Sequence, residues 1–124
     1  MYFLDTFAVI EYLNGNPSYK LYFEKDFCLS RFNLMELYYA SLRDRGQDAA
    51  EADYETFASA EVEIPEKTLK QAMIKKFEMQ KKKINFSYVD AIGYQYALDN
   101  SMKFVTGDQA FKNLDPENVI YLGK

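Results

Sequence analysis

Short apolar runs alternate along this chain with longer segments in which apolar residues recur every three or four positions. The short runs predict buried strands, and the longer period predicts amphipathic helices. Five strands are predicted, at residues 2–4, 27–30, 62–64, 104–106 and 119–121. Helices are predicted at residues 6–13, 18–24, 33–43, 48–59 and 87–100, with a long helix beginning at Pro65 and a short one ending at Asn113.

Strands that alternate with helices predict parallel strand pairing, with helices on both faces of the sheet. The sequence contains no internal repeat and no linker-like tract, so residues 1–124 are expected to form one domain. In open parallel sheets the functional crevice lies at the carboxyl ends of the strands. The chemistry-bearing residues near those ends are therefore the ones to examine.

Composition narrows the possible chemistry more than it narrows the fold. The chain has no histidine and one cysteine, which excludes histidine general bases, catalytic triads and histidine- or cysteine-rich zinc sites. Any metal must be held by oxygen ligands, which favours Mg²⁺ or Mn²⁺. The net charge of −4 argues against a broad basic nucleic-acid surface.

The same composition suggests where the protein works. No apolar run approaches the ~20 residues that a membrane-spanning helix requires. The first residues carry Asp5 and Glu11 and no basic leader, so a signal peptide is not expected. With a single cysteine no internal disulfide can form, and a cytoplasmic location is the simplest expectation.

Four acidic residues fall near the predicted strand ends. Asp5 directly follows the first strand, and Asp108 comes two residues after the fourth. Glu36 lies early in the helix after the second strand, and Asp90 lies in the first turn of the helix at 87–100. If the sheet is parallel, these four carboxylates converge on one edge.

Each acid also has a purely structural interpretation, because acidic residues are favoured at helix starts. Asp5 and Asp108 could each cap the helix that follows. Glu36 stands three residues after Asn33, and Asp90 three residues after Ser87, which is the spacing of a capping box. Taken singly, the structural and functional interpretations are about equally plausible for each residue.

Four segments together resemble, in order and spacing, the signature segments of the PIN domain: FLDTFAVIEYL, RFNLMELYYASL, FSYVDAIGYQYAL and KFVTGDQAFKNL. Within that family the chain looks like the VapC-type toxin ribonucleases of toxin–antitoxin pairs. The resemblance implies a three-layer α/β/α sandwich with a mainly parallel sheet, Mg²⁺ or Mn²⁺, RNA cleavage, a homodimer and an antitoxin partner. Phe7 is bulkier than the small residue that often follows Asp-Thr in the family.

Carried over to this sequence, the family's acidic positions fall on Asp5, Glu36, Asp90 and Asp108. The hydroxyl positions that support them fall on Thr6 and Thr106. We expect Asp5 and Asp108 to be direct metal ligands, Asp90 to bind directly or through water, and Glu36 to orient a water or hold a second ion. A divalent ion lowers the pKa of a water that it binds, which makes hydrolysis possible without histidine.

Crowding of these carboxylates predicts a raised pKa for at least one of them in the absence of metal. Substrate phosphates could contact a group of lysines, namely Lys75, Lys76, Lys81, Lys82 and Lys83. A solvated helix end is the alternative interpretation of that basic run.

Three other functions remain open from the residues alone. One is a non-catalytic PIN-like binding module, and another is a nuclease that acts on DNA. A phosphoacceptor receiver domain has a similar length and also gathers acids at strand ends. It would require an acidic pair after the first strand and a Lys-Pro near the end, whereas this chain has Asp5-Thr6 and no Lys-Pro.

Overall fold

The computed structural model describes residues 1–124, which form five strands and six α-helices. The strands are β1 (Tyr2–Leu4), β2 (Phe27–Ser30), β3 (Glu61–Val62), β4 (Lys103–Thr106) and β5 (Val119–Tyr121). The helices are α1 (Thr6–Leu13), α2 (Pro17–Phe23), α3 (Arg31–Arg45), α4 (Gln47–Ala58), α5 (Glu66–Lys81) and α6 (Tyr88–Asp99). A single 3₁₀ turn covers Gln109–Phe111.

All the strands pair in parallel, in the order β3-β2-β1-β4-β5. β1 lies at the centre, with Phe3 opposite Cys28 on one side and Phe104 on the other. β1, β2 and β4 are buried on both faces of the sheet, which explains why each is a short continuous apolar run rather than an alternating pattern.

Adjacent residues of each central strand point into different cores, because side chains alternate across a sheet. Phe3 and Phe104 pack into one core with residues of α5 and α6. Leu4 and Val105 pack into the other core with residues of α1 to α4. The three-layer α/β/α sandwich with a parallel sheet is thus confirmed.

Several details differ from the sequence prediction. Pro65 caps α5 instead of occupying its first position, and β3 covers Glu61–Val62 rather than residues 62–64. Phe77 is 64% exposed although it follows the apolar spacing of the α5 face that buries Ala72. None of the six helices combines the length and hydropathy that a bilayer crossing requires.

Candidate active site

The carboxyl ends of β1, β2 and β4 meet at one edge of the sheet because the three strands are parallel neighbours. Asp5 follows β1, Asp108 lies two residues after β4, and Glu36 lies in the second turn of the helix that begins directly after β2. Asp90 is in the first turn of α6, which precedes β4 and so begins at the same edge.

Asp5 is the deepest of the four acids, with 1% of its surface exposed. It caps α1, and its Oδ1 accepts a hydrogen bond of 2.8 Å from the Ala8 amide. Its second oxygen, Oδ2, is also buried and has no hydrogen-bond partner. The capping interpretation is therefore correct, but it uses only one oxygen and leaves the other available.

Burial raises the pKa of Asp5 well above its ordinary value, and the negative charge of Asp90 raises it further. The nearby Thr106 hydroxyl and the Ala8 amide offset part of this rise, and the charge of Asp108 adds to it. An ionised Asp5 is consequently unfavourable here unless a cation accompanies it.

Asp90 lies in the same electrostatic environment. Burial is the largest of the causes that together raise the pKa of this carboxyl from 3.8 to about 7, and the charges of Asp108 and Glu36 act in the same direction. The Ser87 hydroxyl, which accepts a 3.0 Å hydrogen bond from the Asp90 amide, caps α6. Charge repulsion alone predicts a raised pKa for at least one of these acids, but burial is the larger cause at both Asp5 and Asp90.

A hydrogen-bond relay connects the start of α3 to the start of α1. The side-chain amide nitrogen of Asn33 donates to the Thr6 hydroxyl at 3.1 Å, and that hydroxyl donates to Glu36 Oε1 at 2.6 Å. The side-chain oxygen of Asn33 accepts from both the backbone N–H and the hydroxyl of Ser30. Thr6 therefore supports Glu36 directly, and Asn33, which is 2% exposed, supports Thr6.

Asn33 is a site residue that the sequence argument misassigned. It was predicted to cap α3, but Ser30 is the cap and the helix begins at Arg31. Asn33 occupies the third helical position and completes a capping box with Ser30. The signal was the Ser-x-x-Asn spacing, which is less familiar than the usual Ser-x-x-Glu. Glu36 consequently has no capping role.

Thr106 and Asp108 form a tight turn at the end of β4. The Thr106 hydroxyl accepts a 3.0 Å hydrogen bond from the Asp108 amide, and Asp108 Oδ1 accepts one of 2.9 Å from the Ala110 amide. Gly107, between them, has no space for a side chain. A Cβ there would lie 2.2 Å from Phe7 Cε1 and 2.3 Å from the Tyr19 hydroxyl oxygen.

The structure shows pairwise interactions among the predicted residues: the charges of Asp90 and Asp108 act on Asp5, and that of Glu36 acts on Asp90. No three acidic side chains form a group that could hold a metal ion as they stand. Three carboxylate oxygens already accept hydrogen bonds, from the Ala8 and Ala110 amides and from the Thr6 hydroxyl. Asp5 Oδ2 does not, and a buried anionic oxygen without a partner is the kind of ligand that a hard divalent cation satisfies.

The PIN domain family model matches residues 2–116, a range that contains all four acids. The chain belongs to the PIN domain family. No curated protein has a sequence significantly similar to this one.

Solved structures share the fold of this PIN domain across nearly its whole length. VapBC2 from Rickettsia felis, bound to a promoter DNA fragment, matches with a TM-score of 0.75 and 20% identity, covering 99% of this chain and 98% of the other. DNA-bound VapBC from Salmonella typhimurium matches with a TM-score of 0.75 and 19% identity, covering 97% of this chain and 96% of the other. VapC20 from Mycobacterium tuberculosis, described as a sarcin-ricin loop cleaving toxin, matches with a TM-score of 0.73 and 20% identity. The match covers 93% of this chain and 95% of the other.

The predicted lysines lie on α5 and on the segment that joins it to α6. The C-terminus of α5 is joined to the N-terminus of α6 by only six residues, so Lys81 to Lys83 lie near the end of the sheet that carries the acids. Lys76 donates to the Phe86 carbonyl and lies over the Tyr88 ring, which gives it a structural role. Lys75 lies over the Tyr94 ring. Substrate contact by any of them stays a prediction.

Proposed function

We propose that this PIN domain is a divalent-metal-dependent endoribonuclease, acting as the toxin of a toxin–antitoxin pair. The observation that carries the proposal is the unpartnered, buried Oδ2 of Asp5, in a site where burial and the charges of Asp90 and Asp108 raise the energy of its ionised form. A fold that only needed to cap α1 would gain nothing from burying this second anionic oxygen.

The donors at this edge fit Mg²⁺ or Mn²⁺, because they are all carboxylate and hydroxyl oxygens in a chain that lacks histidine. When bound, such an ion supplies Lewis-acid activation of water and neutralises charge on the phosphate. Asp5 Oδ2 and a carboxylate oxygen of Asp108 are the proposed direct ligands. Asp90 completes the set directly or through water.

The remaining residues position these groups. In metal-free protein, burial and the charge of Asp108 raise the pKa of Asp90 to about 7, so this carboxyl resists losing its proton. A cation favours loss of that proton. Glu36 is held by the Thr6 hydroxyl, which leaves its other oxygen free to orient a water or a second ion. Thr106 holds the turn that presents Asp108.

RNA and an antitoxin enter the proposal through the similar structures, which are described as VapBC complexes and as a loop-cleaving toxin. We further propose a homodimer that works in the cytoplasm. Light scattering tests the dimer, which has twice the 14.5 kDa mass of one chain. Growth arrest on expression of the wild type, and its loss in Asp5→Asn, tests the toxin role.

The central experiment compares labelled single-stranded RNA and DNA of one sequence, with Mg²⁺, Mn²⁺ or chelator. Wild type should cut RNA only when metal is present, and Asp5→Asn should lower the rate by at least about a hundredfold, more than loss of a supporting group does. Asp48→Asn is the matched control, because Asp48 is an exposed acid in the first turn of α4.

Each of the other outcomes of this experiment refutes a specific part of the proposed function. RNA cleavage that survives chelation contradicts metal dependence, and equal cleavage of DNA contradicts the substrate. An active Asp5→Asn variant removes Asp5 from the site. Absence of cleavage under every metal condition, by protein that is folded, favours a non-catalytic binding module.

A further inference from the structure

A pocket of about 440 Å³ opens beside Asp108. It is lined by Phe7, Gly107, Asp108, Gln109, Tyr121 and Lys124. We propose that this pocket receives one unpaired nucleobase of the RNA, next to the phosphodiester that is cut, and selects among the four bases. The inference rests on the proposed nuclease function and specifies how its substrate is chosen.

The pocket is built on rigid backbone. The Phe7 ring and the Tyr19 hydroxyl lie so close to Gly107 that no Cβ fits there. Tyr19 is fully buried, and its hydroxyl donates a hydrogen bond to the Gly123 carbonyl. The Phe7 ring packs on Gly107, and Asp108 follows Gly107 in the chain. The ring therefore forms a wall of the pocket that is fixed relative to Asp108.

A second aromatic ring, that of Tyr121, also lines the pocket. Tyr121 ends β5, next to β4, and its ring reaches back over Gly123, where a Cβ would lie 3.3 Å from the Tyr121 hydroxyl oxygen. Aromatic walls favour the flat faces of bases, because every base has a π-face that can stack on such a ring. Phe7 and Tyr121 thus suit a base and do not suit a phosphate.

The polar groups of the pocket supply the rest of the recognition. The Gln109 side chain is exposed and forms no hydrogen bond within the chain, so its amide is free to donate and accept. A side-chain amide can form paired hydrogen bonds with a base edge. Lys124 brings a positive charge to the rim of a protein whose net charge is −4, which suits the adjoining phosphate.

Continuity with the acidic site decides between a base and another occupant. Asp108 belongs both to the pocket and to the carboxylate cluster, since its charge raises the pKa of Asp90. A base held here would therefore lie one nucleotide or less from a phosphate at the acids. A segment of a protein partner is the alternative occupant, and the test below separates the two.

The test uses the purified protein with Mn²⁺ and a short RNA that contains a mapped cut site. Each nucleotide around the cut is replaced in turn by the other three bases and by an abasic residue. One position next to the cut should show a preference of about tenfold in kcat/KM for one base, which corresponds to ~1.4 kcal/mol and lies within the range for a paired base contact.

Gln109→Ala should reduce that preference to about twofold, as expected when the hydrogen bonds to the base edge are lost and stacking remains. Gln71→Ala is the matched control, because Gln71 is an exposed glutamine on α5, and it should keep the full preference. Circular dichroism checks that both variants are folded.

The proposal is overturned if Gln109→Ala keeps the wild-type base preference, or if the abasic residue is tolerated at every position. Either result would favour a protein partner in the pocket. If the wild type cuts no RNA, the same oligonucleotides are compared by fluorescence anisotropy. Base-selective binding that depends on Gln109 then upholds the pocket while the nuclease proposal fails, and binding without selectivity overturns both.

Discussion

Replacing Asp90 with asparagine removes a carboxyl group whose ionisation the folded protein resists. Burial, aided by the charge of Asp108, holds its pKa at about 7 instead of 3.8. At one pKa unit per 1.36 kcal/mol, ionised Asp90 destabilises the metal-free fold by about 4 kcal/mol. Asp90 as a residue is only 8% exposed, so solvent screens little of this effect.

The sign follows from proton binding. Between the unfolded pKa of 3.8 and the folded pKa of about 7, the native state binds more protons than the unfolded state. Wild-type stability therefore falls as the pH rises through this window, by up to about 1.4 kcal/mol per pH unit. Asp90→Asn does not titrate, so its advantage should grow through the window and level off above pH 7.

Asparagine also loses the favourable interaction of a negative charge with the start of α6, which is about 0.5 to 1 kcal/mol. The net expectation for metal-free protein at pH 8 is that Asp90→Asn is about 3 kcal/mol more stable than wild type. For a chain of this size that corresponds to a melting temperature roughly 10 °C higher.

Urea unfolding in chelator, followed by circular dichroism between pH 5.5 and 8, measures this gap. Asp48→Asn, an exposed acid-to-amide change at the start of α4, should show little pH-dependent gap. Adding Mn²⁺ should stabilise the wild type more than Asp90→Asn, because the ion binds the native carboxylates. A variant that is less stable than wild type at pH 8, or a gap that does not change with pH, refutes the reasoning.

Two substitutions and one labelling experiment test the packing of the fold. Gly107→Ala should destabilise the fold by roughly 2 kcal/mol or more and reduce activity, because its Cβ would meet the Phe7 ring and the Tyr19 hydroxyl. Urea unfolding measures the stability and RNA cleavage measures the activity. A variant as stable as the wild type would contradict this prediction. Tyr19→Phe should lose about 1–2 kcal/mol, since the buried Gly123 carbonyl loses its donor; an unchanged urea midpoint would argue against that bond. Cys28 should not react with a thiol reagent in the native state, because burial raises its pKa to about 11; rapid labelling without unfolding would show that the thiol is accessible.

The order and type of the elements followed from local pattern. The predicted boundaries of β1, α1, β2 and β5 agree with the structure because each is a distinct apolar run or period ended by polar, glycine or proline residues. The start of α3 did not follow, since both Ser30 and Asn33 are good caps and only packing against Thr6 shows which role each takes.

The site divides in the same way. The residue types and their spacing were enough to select four acids, to place them at strand ends and to exclude every chemistry that needs histidine. They could not show that Asp5 keeps one oxygen for its helix and leaves the other buried without a partner. They also gave no indication that the pocket beside Asp108 exists, because its walls come from residues more than a hundred positions apart.

By itself, then, the amino-acid sequence determined the alternation of strands and helices, the oxygen-only donor set and the positions where chemistry could reside. Tertiary structure decided the strand order, the burial that raises the pKa values of Asp5 and Asp90, and the shape of the pocket. The physical reason is range. Periodicity and capping act over a few residues, whereas desolvation and the field of neighbouring charges depend on which distant segments fold against each other.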